Sequence, residues 1–126
     1  MTAVPTSGDP PPADTRSLVD PFPPMAICWP NLTPAEAAEH FDALDDWVAW
    51  LADRYQLDHR VIPPCWADHG ALVEELSALR TGWLTAFCLT ATGDAPLTWH
   101  AEFANTRQRL ADWAARSGCR PGEHRS

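Results

Sequence analysis

The sequence predicts an all-α protein, an antiparallel three-helix bundle that follows a disordered proline-rich tail. Apolar residues recur at steps of three and four in three segments of about twenty residues, as on one face of a helix. No apolar and polar alternation lasts long enough to predict a strand. Eight of the thirteen prolines fall within the first thirty residues. We therefore divide the chain into a tail at 1–32, a bundle at 33–118 and a C-terminal tail at 119–126.

The N-terminal tail combines prolines with apolar residues. Proline lacks an amide donor and fixes its own φ, so the run Pro10-Pro11-Pro12 favours extended, disordered chain. The second half, from Leu18 to Trp29, is too apolar for a purely solvating linker. Two interpretations stay open: this half folds back over a groove of its own domain, or it is a short linear motif for a partner.

The first helix has a strong start signal. Thr33, Pro34 and Glu36 fit a capping box with proline at the first helical position. The apolar stripe that follows consists of Ala37, Phe41, Leu44, Val48, Leu51 and Tyr55. The helix should end near Gln56, because the segment before Pro63 and Pro64 prefers extended geometry.

Two further helices follow with short connections. Asp68 and Asp94 are predicted to cap them, and Gly118 is predicted to end the last one. Their apolar stripes are Leu72, Leu76, Leu79, Trp83 and Phe87, and then Trp99, Phe103, Thr106, Leu110 and Trp113. Short connections between helices of this length favour antiparallel neighbours.

The charge balance constrains the partners of the protein. Seventeen acidic residues oppose nine arginines, and there is no lysine, which gives a net charge of -8. Direct nucleic-acid binding is not expected, because phosphates reward a basic surface. The first helix concentrates carboxylates at Glu36, Glu39, Asp42, Asp45, Asp46 and Asp53. This run is typical of a solvated helix face, and mimicry of DNA or docking on a basic partner are the alternatives.

The sequence carries no signal for a membrane. No apolar run approaches the eighteen or so residues that span a bilayer. The N-terminus has neither the basic start nor the apolar core of a secretory signal. We therefore expect a cytoplasmic protein whose cysteines are mostly thiols or metal ligands.

Two Cys/His pairs are the strongest chemical signal. Cys65 and His69 precede the second helix, and Cys119 and His124 follow the third. In the predicted bundle these segments share one end, where two cysteines and two histidines would suit a structural zinc ion. The alternatives are that Cys65 is a small buried side chain and His69 a polar residue at a helix start, or that Cys65 and Cys119 form a disulfide.

Seven tryptophans divide into two groups. Those at helical spacing, Trp47, Trp83, Trp99 and Trp113, are predicted to be core residues. Trp29, Trp50 and Trp66 fall in the tail or off the stripes. Because tryptophan is enriched at interface hot spots, these three are candidate contacts with a protein partner.

No catalytic site is predicted. His100-Ala101-Glu102 resembles the H-x-E element of zinc deaminases, but Pro64-Cys65 precedes it and lacks the second cysteine of their other element. Gly-rich phosphate loops and a G-x-S-x-G elbow are missing from the sequence. We therefore expect a protein that is not an enzyme and that needs no cofactor beyond a structural zinc.

Residues spread over 33–125 carry a resemblance to other proteins. They are Ile62 to Trp66, His69, Leu72, Glu75-Leu76, Leu79, Trp83, Trp99-His100, Leu110, Trp113 and the segment from Cys119 to Arg125. In these residues the chain resembles a group of small actinobacterial proteins of unknown function. These relatives look like products of plasmids and integrative elements, which implies an accessory role in mobile-element biology; no catalytic residues are carried over from them. The expected function is a protein-interaction or adaptor domain. The alternatives are a structural zinc-bound domain in a DNA-transfer or regulatory complex and an acidic DNA mimic.

Overall fold

The computed structural model describes residues 22–119, which form three helices and no strand within that range. The helices are α1 (Pro34–Arg54), α2 (Gly70–Ala86) and α3 (Ala95–Ser117). Short 3₁₀ turns precede two of them, at Trp29–Asn31 and Trp66–Asp68. The predicted all-α, three-helix architecture is confirmed.

The start of α1 is the predicted capping box. The Glu36 amide donates to Thr33 Oγ1 over 3.1 Å, and the Thr33 amide donates to Glu36 Oε1 over 2.9 Å. Both bonds satisfy amides that a helix start leaves without an intrahelical acceptor. The helix ends at Arg54, and Gln56 leaves it with a positive φ of 54°.

The other two helix starts differ from the prediction. Asp68 belongs to the 3₁₀ turn, and His69 stands at the position before α2. Asp94 does precede α3, but its Oδ1 accepts from Thr92 Oγ1 at 2.6 Å and caps no helix amide. Its backbone is helical, at φ -92° and ψ -3°, instead of the extended geometry from which a capping side chain reaches forward.

Helices α2 and α3 pack antiparallel. Near the start of α3, Trp99 Nε1 donates to the carbonyl of Leu79 in the second half of α2 at 3.1 Å. Further along α3, the Arg109 guanidinium pairs with Glu75 in the first half of α2 at 2.9 Å. Because these pairings run in opposite directions along the two helices, α3 finishes at the end of the molecule where α2 begins.

Helix α1 packs on α2 through aromatic rings. Trp47 and Trp50 lie 6.2 and 5.3 Å from the ring of Trp83, which is close to the end of α2. Phe41, in the first half of α1, stacks on Trp66 just before α2. The segment between α1 and α2 therefore carries the chain back along α1 before α2 begins.

The core consists mainly of the predicted stripes. Trp47, Leu51, Leu76 and Leu110 are fully buried. Trp113, predicted to be core, is 37% exposed, because it lies at the edge of the helix pair with the Arg116 guanidinium 5.0 Å above its ring. Among the helices of residues 22–119, none combines the length and apolar character that crossing a bilayer requires.

Candidate functional site

The loop before α2 holds Cys65 and His69 on either side of the 3₁₀ turn. Trp66 fixes this turn from inside, because it is buried and its ring stacks on Phe41 at 5.5 Å. Pro63 is also fully buried. The amides of Asp68 and His69 close the turn on the carbonyls of Cys65 and Trp66, over 2.9 and 3.1 Å. The side chains of Cys65 and His69 therefore start from an anchored backbone.

The end of α3 delivers Cys119 to the same place. Gly118 stops the helix with a left-handed φ of 72°, as predicted, a conformation that glycine adopts without a Cβ penalty. The Cys119 amide then donates to Ser117 Oγ at 3.2 Å. This turn directs Cys119 back toward the start of α2.

The three side chains converge on a single histidine nitrogen. Cys65 Sγ lies 3.5 Å and Cys119 Sγ 3.3 Å from His69 Nε2. All three donor atoms lie within 4.8 Å of one another, and all three residues are half-buried. The structure thus brings together three of the four predicted zinc ligands.

The surroundings of Cys65 favour its neutral form unless a cation is present. Burial raises the pKa of the Cys65 thiol, and the neighbouring Cys119 and Asp68 raise it further. A bound cation would reverse this preference, because a coordinating thiol is deprotonated outright.

The remaining cysteines are not part of this cluster. Cys28 is exposed, whereas Cys88 is buried with its Sγ 3.4 Å from Thr90 Oγ1. None of the four cysteines forms a disulfide. His124 lies outside the described residues, as do residues 1–21.

The three tryptophans predicted to contact a partner all make contacts within the domain. Trp29 Nε1 donates to Ser77 Oγ at 3.0 Å, so the end of the predicted tail lies against α2. Trp50 is half-buried beside Trp47 and Trp83. Trp66 is only 7% exposed, and its ring packs inside the loop against Phe41. Partner binding by these residues stays a prediction.

A groove between α2 and α3 was not predicted from the sequence. Its volume is about 720 Å³, and Leu79 and Trp99 line it together with small side chains. The small residues are Ala78, Gly82, Ala86, Ala91 and Ala95. The charged residues of its lining are Glu75, Asp94, Glu102 and Arg109. Ala78, Gly82 and Ala86 recur at a spacing of four along α2, so this stripe of small residues is visible in the sequence, but a stripe of small residues does not by itself predict a groove.

The carboxylates of α1 form a stripe opposite the core. Glu39, Asp42, Asp46 and Asp53 are all exposed, and their spacing of three, four and seven residues keeps them on one face of the helix. The exposed Ala49 interrupts the stripe between Asp46 and Asp53. The predicted acidic face is therefore present but not continuous.

The H-x-E element of α3 also has a structural setting. His100 Nε2 lies 3.1 Å from Tyr55 Oη, so the imidazole contacts the residue that directly follows α1. Burial raises the pKa of the Tyr55 hydroxyl, which keeps it protonated as a hydrogen-bonding group. This contact connects α1 to the beginning of α3.

The fold and the Cys/His cluster define a small all-α domain with a candidate metal centre. No protein-family model, curated protein or solved structure matches the chain.

Proposed function

We propose that this chain is a non-enzymatic interaction domain that binds a segment of another protein in the groove between α2 and α3. The observation that carries the proposal is the groove itself, which lies between α2 and α3, is also lined by Pro23 of the N-terminal segment, and has a volume of about 720 Å³. Its small side chains allow close approach of a partner backbone, and the buried Leu79 and Trp99 form its apolar floor.

The charged lining indicates the chemistry of the partner. The lining contains three carboxylates and one guanidinium. The carboxylates are those of Glu75, Asp94 and Glu102, and the guanidinium is that of Arg109. Arg109 already pairs with Glu75 through its Nε. A segment with apolar side chains in its middle and arginine or lysine at its flanks would complement both the lining and the net charge of -8.

Site-specific photo-crosslinking tests this proposal with a matched pair of exposed alanines. Ala78 lines the groove, whereas Ala104 on α3 does not. A benzophenone side chain at position 78 should capture a partner in the native host, and one at position 104 should not. Ala78→Arg should then weaken binding of the captured partner, and Ala104→Arg should leave it intact. Equal capture at both positions, or capture of the chain's own residues 1–21 at position 78, would exclude the proposed occupant.

A second candidate function is binding of a basic protein surface by the stripe on α1, as an acidic DNA mimic would do. It is supported by the exposure of Glu39, Asp42, Asp46 and Asp53 on one helix face. Replacing these residues with their amides should reduce the association rate with such a partner and flatten its salt dependence. If the groove carries the function, the same variant should bind the captured partner at nearly the wild-type rate.

The proposed setting is an accessory role in mobile-element biology. Its support is the resemblance of residues 33–125 to small actinobacterial proteins. Recovery of a plasmid-transfer or replication protein as the crosslinked partner would strengthen this setting, and recovery of an unrelated housekeeping protein would argue against it.

A further inference from the structure

The Cys/His cluster has the geometry of a metal site. A neutral imidazole nitrogen offers one proton or one lone pair, yet two sulfur atoms approach His69 Nε2, at 3.3 and 3.5 Å. The two thiols also hydrogen-bond to each other, so all three donor atoms share one small volume. A cation shared by all three donors accounts for both approaches.

The distances agree with tetrahedral zinc. With Zn–S of about 2.3 Å and Zn–N of about 2.0–2.1 Å, tetrahedral angles separate sulfur from nitrogen by about 3.6 Å. The measured separations, 3.5 Å from Cys65 and 3.3 Å from Cys119, are close to this value. The two sulfur–nitrogen separations therefore need to change by only a few tenths of an ångström to suit an ion.

The donor types select the metal. Two thiolates and an imidazole suit Zn²⁺, whereas Mg²⁺ and Ca²⁺ require oxygen ligands. We infer that Cys65, His69 and Cys119 bind one structural zinc ion.

The inference rests on the three described residues. His124, the fourth ligand that the sequence predicts, lies outside the described residues and stays a prediction.

The position of the site in the fold gives the ion a mechanical role. His69 and Cys119 are 50 residues apart in sequence. Zinc would link the anchored loop before α2 to the end of α3 and so close a loop that contains both helices. This role is independent of the groove, so the metal site and the proposed function can fail separately.

Zinc content is the direct test. The full chain without a histidine tag should be dialysed against chelator, reloaded with zinc under reducing conditions, and measured by elemental mass spectrometry. One zinc per chain is expected for the wild type. Cys119→Ser and Cys65→Ser should each reduce zinc occupancy at least tenfold, whereas Cys28→Ser should keep full occupancy as the matched control. Less than one tenth of a zinc per wild-type chain, or equal loss in the Cys28 variant, would overturn the inference.

Absorption spectra of the Co²⁺-loaded protein distinguish a variant that has lost a ligand from one that has unfolded. The Co²⁺-loaded wild type should show intense visible bands of a tetrahedral ion and near-ultraviolet sulfur-to-cobalt charge transfer. His69→Ala should keep the sulfur band and change the visible bands, since the ion would lose an imidazole. An unchanged spectrum would overturn the assignment of His69, and a wild-type spectrum without sulfur transitions would overturn the whole site. Circular dichroism of each variant should retain its helical signal, so that loss of metal is not mistaken for unfolding.

Discussion

Cys119 Sγ lies 3.3 Å from His69 Nε2, although 50 residues separate the two along the chain. The antiparallel packing of α2 and α3 brings their ends together, and the left-handed Gly118 turns the chain from one to the other. With Cys65 at 3.5 Å from the same nitrogen, the contact places three metal-binding side chains at one end of the helix pair.

Zinc should stabilise the folded chain. A ligand that binds only the native state adds about 2.7 kcal/mol when its free concentration is a hundred times its Kd. For a domain of this size, that corresponds to a rise in Tm of about 10–20 °C. Differential scanning calorimetry with zinc and with chelator measures the shift. Cys119→Ser should show the same Tm in both conditions, and a wild type with no shift would argue against a structural ion.

The contact between Trp29 and Ser77 should stabilise the attachment of residues 22–32 to α2. The indole donates to a serine hydroxyl that is only 5% exposed, and a hydrogen bond of this kind contributes about 1 kcal/mol. Denaturant unfolding of Trp29→Phe, Ser77→Ala and the double variant gives the coupling energy. We expect about 1 kcal/mol, and a coupling near zero would show that Trp29 is not held on α2 in solution.

Substitution by alanine should cost much more unfolding free energy at Trp83 than at Trp113. Trp83 is 4% exposed and contacts Trp47, Trp50 and Phe87, so its loss should cost about 3–5 kcal/mol of unfolding free energy. Trp113 is 37% exposed, and its loss should cost about 1 kcal/mol or less. Chemical denaturation of both variants measures the difference. Equal costs would contradict the placement of Trp113 at the edge.

The capping box should make stability depend on pH. The hydrogen bond from the Thr33 amide holds the pKa of the Glu36 carboxyl below its usual value, and the Thr33 side chain lowers it further. A lowered folded-state pKa stabilises the protein above the pKa of the unfolded chain, about 4.3, and this contribution disappears as pH falls through the folded-state value. Wild type should therefore be more stable than Glu36→Gln near neutral pH, and the difference should vanish in acid.

A second variant tests the other half of the same cap. Thr33→Ala removes the acceptor of the Glu36 amide and should cost about 1 kcal/mol. Because the threonine hydroxyl does not titrate in this range, most of that cost should persist in acid. Unfolding midpoints measured across the acid range separate the two contributions, and a Thr33→Ala effect that vanished with Glu36 protonation would contradict this division.

Features that depend on local periodicity were predictable from the sequence. The stripe of α1, its capping box and the glycine that ends α3 all follow from spacing and backbone preference, and the structure confirms them. The meeting of Cys65, His69 and Cys119 was also predictable, because it requires only that α2 and α3 be antiparallel.

Features that depend on tertiary packing were not predictable in the same way. Trp66 has no helical period around it, so its burial against Phe41 appears only when the loop returns along α1. The exposure of Trp113 depends on how far α2 covers α3. Ala78 and Gly82 leave a groove because they lack large side chains. Their spacing of four is visible in the sequence, but whether a facing helix fills the space beside them depends on tertiary packing.

The measurement that most directly tests the metal centre is X-ray absorption at the zinc edge of the zinc-loaded full chain. Coordination by Cys65, His69 and Cys119 predicts two sulfur scatterers at about 2.3 Å and nitrogen scattering at about 2.0–2.1 Å. A first shell of nitrogen and oxygen alone would contradict the site, because it would place the ion away from both cysteines.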